Sequence, residues 1–170
     1  MTSTDDWIVA YARQADADFD TWEVLEQNQS HLKLPDCHKL MFLQMACEKL
    51  TKAHLCSHGS SPKELQSSHA YTAKNLHIII REQARASSMK SAVIKGLVTH
   101  AKHLAQEICF LAPAVKRGGQ RLDNCEYPWE DNAGRLHVPR DWTFTPSALL
   151  TVPAGRTFLK LVRSAINSLL

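Results

Sequence analysis

The stretch CHKLMFLQMACEKLTKAHL, residues 37–55, decides the fold. Leu40, Leu43, Cys47, Leu50 and His54 recur at steps of three and four, the spacing that lines up one face of an α-helix. Phe42, Met45, Ala46 and Ala53 widen that stripe, which predicts a helix buried on more than one side. Gln44, Glu48, Lys49 and Lys52 stand at fixed offsets on the same helix. Glu48 and Lys52 are one turn apart and can pair, with Lys49 at the rim, while Ala46 and Ala53 let a neighbouring helix approach closely.

Working outward, residues 5–28 read as a first helix with Ile8, Ala12, Ala15, Phe19 and Trp22 inward, and Asp5 and Asp6 suit the positive end of its dipole. Residues 30–35 read as a loop, with Asp36 as the cap of the second helix. His58-Gly59-Ser60 breaks the chain. Ser61-Pro62-Lys63-Glu64 then starts a third helix, with a capping serine, proline at the first position and Glu three residues after the cap. That helix is predicted to run to residue 86 with Leu65, His69, Thr72, Leu76 and Ile79 inward. A fourth covers residues 89–111, where Ile94, Leu97, Ala101, Leu104, Ile108 and Leu111 form a bundle seam, and Pro113 stops it. A last helix over residues 154–169 packs through Phe158, Leu159, Val162, Ile166 and Leu169.

Residues 113–153 differ in kind. They hold five of the seven prolines, together with Tyr127, Trp129, Trp142 and Phe144. A connection of that length is uncommon in a compact domain and is often functional, and its aromatics are expected to anchor it to the bundle. Thr145-Pro146 can start a short helical turn. The expected fold is an all-α, up-and-down helical bundle of four long helices plus a C-terminal helix, with a long irregular loop before the last one. It forms a single domain over residues 1–170.

Composition narrows the class. Hydrophobic content of 44% with 22% charged residues is ordinary globular composition. No apolar run is long enough to cross a bilayer, so no membrane partner is expected. The polar, acidic start is the reverse of a signal peptide. Five cysteines, an odd number with no Cys-x-x-Cys pair, suit a reduced, cytoplasmic protein. The net charge of +3 hides a split, because residues 1–28 carry seven acids against Arg13 while residues 29–120 carry thirteen Lys and Arg against five acids. A basic middle can attract nucleic acid or nucleotide phosphates; the other reading is a solvated lysine surface partly neutralised by the acidic first helix.

Gln44-x-x-x-Glu48-Lys49-x-x-Lys52-Ala53 on the second of four long helices, after an acidic first helix, resembles the HEPN superfamily. Ala53-His54-Leu55 stands where that family usually has Ala-Leu-Leu, and Glu126-Tyr127-Pro128-Trp129 is similar to a Tyr-Pro loop that members carry near their last helix. The likeness spans residues 5–112. It implies a helical bundle, often a homodimer. Members include metal-independent ribonucleases of toxin or defence type, partners of a small nucleotidyltransferase, and nucleotide- or protein-binding modules. The ribonucleases carry an Arg followed, after four to six residues, by His. Arg81, Arg85, Arg117, Arg121 and Arg135 have no His at that distance. The resemblance therefore implies a non-catalytic binding module acting with a nucleotidyltransferase, nucleic-acid or nucleotide partner. The alternative is a divergent ribonuclease using Arg117 or Arg121 with His100 or His137 brought near in space.

Candidate binding residues lie in the irregular segment. Lys116-Arg117-Gly118-Gly119-Gln120-Arg121 offers three cations and flexible backbone amides to a phosphate, or simply ends the fourth helix, and it is not a Walker loop. Glu126, Tyr127 and Trp129 could stack a base or set a carboxylate on a cation; otherwise Tyr127 and Trp129 fasten the loop and the acids face water. His100, His103 and Glu107 have metal-like spacing but no matching motif on another helix, and His54, Cys56 and His58 sit at a helix end that favours histidine electrostatically. No metal and no cofactor is expected, and no catalytic constellation can be named.

Overall fold

The structure, a computed structural model, describes residues 3–66, 71–113 and 123–170. It is an all-α bundle: α1 (Thr4–Leu32), α2 (Asp36–Ser57), α3 (Pro62–Gln66), α4 (Tyr71–Ala86), α5 (Ser91–Cys109), α6 (Thr145–Thr151) and α7 (Pro153–Asn167). Helix α1 starts at a capping box, in which Ser3 Oγ accepts from the Asp6 amide and the Asp6 carboxylate accepts from the Ser3 amide. It runs past residue 28 to a left-handed Lys33 (φ 50°), just before Leu34-Pro35, where the proline disfavours helical backbone at the preceding residue. Pro35 occupies the cap position of α2 with no side-chain capping bond, so Asp36 is the first helical residue and not the cap. Its carboxylate is used across elements instead. It accepts from Gln29 of α1 and from Ser147 of α6 at 2.7 Å, and pairs with Lys39.

Helix α2 lies at the centre, packed against α1, α4, α5, α6 and α7. Leu40, Leu43, Ala46, Cys47, Leu50 and Ala53 are all fully buried, which is what the widened stripe requires. In α5 the seam of Leu97, Ala101, Leu104 and Ile108 is buried, as is Leu111 just past its end, while Ile94 is partly covered. Between α3 and α4 the residues 67–70, including His69, lie outside the described ones, and the helix read over residues 61–86 is described as two. Ser88 turns α4 into α5 with a left-handed backbone (φ 56°).

The segment read as irregular carries short elements. Strands β1 (Trp129–Glu130) and β2 (Leu136–His137) form an antiparallel hairpin with Trp129 opposite His137. A 3₁₀ turn (Pro139–Asp141) and α6 follow, and Pro153 opens α7. Phe144 and Phe158 are buried in the core, and Arg163 of α7 reaches Asp16, Asp20 and Glu23 of α1, its guanidinium 4.5 Å above the Phe19 ring. Among the described residues no helix is long and apolar enough to cross a membrane.

Candidate functional site

The polar positions of α2 form one bonded row. Gln44 Nε2 donates to Glu48 Oε2 at 2.9 Å, and Lys52 Nζ donates to Glu48 Oε1 at 2.7 Å. All three side chains belong to residues that are less than a tenth exposed. A carboxylate in that setting needs a cation and hydrogen bonds to stay charged, and Lys52 and Gln44 supply both. Beside them Lys49 Nζ donates to Asp18 Oδ2 of α1 at 2.7 Å, and Gln14 holds the other Asp18 oxygen at 3.1 Å. Tyr11 faces the same region. Burial first, then the nearby Cys56 and Glu48, push its phenol up from the ordinary range.

This row borders a cleft. Met41, Gln44, Met45, Glu48, Lys49, Pro113 and Glu126 enclose about 340 Å³. An adjoining hollow of about 450 Å³ is lined by Leu25, Leu34, His38, Met41, Phe42 and Tyr127, with Glu126 again at its edge. Met41 and Glu126 line both, so the two make a double cleft along α2 with a polar half and an apolar, aromatic half. The wall at 124–127 is set by local chemistry. Asn124 Oδ1 accepts from the Glu126 amide at 2.9 Å and from the Tyr127 amide at 2.7 Å, and the Cys125 amide donates to Leu111 O at 2.9 Å. Burial pushes the Cys125 and Cys47 thiols far up, which leaves them unreactive.

Of the residues singled out from sequence, Glu126 and Tyr127 line the cleft, and Tyr127 is 60% exposed. Tyr127 therefore does not fasten the segment to the bundle. Trp129 does so: it is buried in the core, stacks on His137 at 5.7 Å and meets Trp142 edge-on at 5.3 Å. Lys116, Arg117 and Arg121 lie outside the described residues; Pro113, on the near side of that segment, lines the polar half. His137 Nε2 bonds Asp131 Oδ2 at 3.0 Å, and hydrogen bonds from His137 and from the Arg135 and Ala133 amides hold the Asp131 carboxyl well below the usual carboxylate range. His100 Nε2 bonds Leu149 O at 3.1 Å, while His103 is exposed and 3.9 Å from Glu107. Among the described residues no three His, Cys, Asp or Glu side chains cluster so as to hold a metal ion.

Sequence reasoning missed Asp18, His38 and Phe42 as cleft or network residues. Comparison with protein-family models, curated proteins and solved structures returned no match for this chain.

Proposed function

We propose that this chain is a HEPN-like binding module without catalysis of its own, acting with a nucleotidyltransferase, nucleic-acid or nucleotide partner. The observation that carries the reading is the double cleft along α2, bordered by the same Gln44, Glu48 and Lys49 on which the resemblance rests. Its apolar half offers Phe42, His38 and the exposed Tyr127 to the face of a base. Its polar half offers the Gln44 amide oxygen and the Glu126 carboxylate to the N–H groups of a base edge. The neighbouring sequence adds Lys116, Arg117 and Arg121 for phosphate charge. The test is titration of the purified protein into a labelled ten-nucleotide RNA and into free nucleotides. Tyr127→Ala is expected to weaken binding about tenfold, the loss of roughly one stacking contact, with the RNA left intact. Cleavage that disappears when a basic residue is replaced would overturn the non-catalytic reading.

One observation favours the second reading, a divergent metal-independent ribonuclease. His137 is oriented by Asp131, the arrangement in which a carboxylate sets an imidazole for proton transfer. His100 suits that role less, since its Nε2 is engaged by the Leu149 carbonyl. This reading requires RNA cleavage without metal that His137→Asn abolishes.

A further inference from the structure

We infer that the groove between the C-terminal half of α4 and the N-terminal half of α5 is a separate site for phosphate groups. Arg81 and Arg85 of α4 face Lys95 and the hydroxyl-bearing Ser91 and Thr99 of α5 across a groove of about 460 Å³, floored by Ile94 and Val98. Among the described residues no acidic one lines it. The acids of these two helices turn elsewhere: Glu82 faces His54 at 3.9 Å and Glu107 faces His103.

The cations in this groove contrast with five paired ones elsewhere in the molecule. Lys39, Lys49, Lys52, Arg135 and Arg163 each hold a carboxylate. Among the described residues, Arg81, Arg85 and Lys95 hold none, and the buried Nε of Arg81 has no hydrogen-bond acceptor. His77 lies one turn before Arg81. Its buried Nδ1 has no partner, and burial followed by the charges of Lys102 and Arg81 holds its pKa below the ordinary value. The first turn of α5 adds partial positive charge, with no acid in it and no side-chain cap at Lys90. Three uncompensated cations with two hydroxyls, around a half-apolar floor, select a multiply charged oxyanion over a halide or a single carboxylate. Arg81 and Arg85 stand about 6 Å apart along the helix, a spacing that suits two linked phosphates.

The phosphates can come from a free nucleotide or from a polynucleotide backbone. Pyrophosphate, ATP and a labelled single-stranded RNA are the three probes, titrated against the full chain and against Arg85→Gln/Lys95→Gln. The double variant leaves the half-buried Arg81 in place, and circular dichroism checks its fold. The variant is expected to bind at least tenfold more weakly, with a salt slope shallower by about two where RNA is the probe. Binding of pyrophosphate and ATP without RNA assigns the site to a free nucleotide; RNA binding without them assigns it to the backbone. Absence of binding by all three probes, or equal affinity in the variant, overturns the inference. This groove shares no lining residue with the α2 cleft. Loss of phosphate binding in Tyr127→Ala, with retention in Arg85→Gln/Lys95→Gln, likewise overturns it and leaves the α2 reading standing.

Discussion

Lys52 has only 6% of its surface exposed, and its ammonium group bonds Glu48 one turn away. Removing one member of such a pair deprives the other, still buried, of that counter-charge, and the loss exceeds what the pair itself contributes. Lys52→Met is therefore expected to lower unfolding free energy by about 3–5 kcal/mol. Lys52→Met combined with Glu48→Gln should recover much of that, because the amide no longer needs a cation and Gln44 can still bond it. Urea denaturation of the two variants checks this; equal losses would show that the pair is not the cause. The Glu48–Lys52 pairing was legible from spacing alone, since i, i+4 partners need only a helix. Lys49 was readable only as a rim residue, because its partner Asp18 is 31 positions away and belongs to α1.

At the scale of elements, two glycines separate a packing requirement from a mere sequence choice. A Cβ at Gly155, in the first turn of α7, would stand 2.2 Å from the Leu149 carbonyl oxygen and 2.7 Å from Leu150 Cα. Those are backbone atoms of α6 and cannot step aside without moving the helix. Gly155→Ala is expected to destabilise by about 1–3 kcal/mol through overpacking. Gly96, on an exposed part of α5, meets nothing within 4 Å. Gly96→Ala is expected to stabilise by about 0.5–1 kcal/mol through helix propensity. Thermal melts of the two variants should move in opposite directions. Periodicity found the long helices because each spans several turns. It could not find the hairpin of β1 and β2, whose two-residue strands are shorter than any alternation pattern; pairing and the buried Trp129 hold them. Asp36 is a related case. An acid before an apolar helix reads as a cap, but the tertiary bonds from Gln29 and Ser147, with the ion pair to Lys39 in the first turn of α2, claim it.

For the whole molecule, the folded state resists protonation at several sites. Burial and the charge of His58 lower the pKa of His54 below its ordinary 6.5, against an opposing pull from Glu82. His77 is lowered likewise, by burial, Lys102 and Arg81. Below about pH 6.5 the unfolded chain therefore binds these protons more readily than the folded one, so stability falls as pH falls through that window. Asp36 extends the effect to lower pH. Burial would raise it, but hydrogen bonds from Ser147 and Gln29 and the charge of Lys39 outweigh burial and hold it below its ordinary 3.8. The melting temperature is expected to drop between pH 7.5 and 5.5, and to drop again as pH approaches 3. His54→Asn/His77→Asn should flatten the first step and leave the second, as followed by melts across pH. A first step of unchanged size in that variant would assign it to other groups.

What the sequence determined by itself is the long helices, the buried face of each, and the Glu48–Lys52 pairing along the central helix, because all three depend on spacing within a few turns. The tertiary structure alone decided where charge is compensated and where it is not. Asp18 reaches Lys49, Asp36 reaches Ser147, and Arg163 gathers three carboxylates of α1, whereas Arg81, Arg85 and Lys95 face a groove with no acid lining it among the described residues. The same holds for the exposed Tyr127 beside the buried Trp129, two residues apart in the chain. Burial and ion pairing depend on which distant faces meet, and no local pattern encodes that meeting.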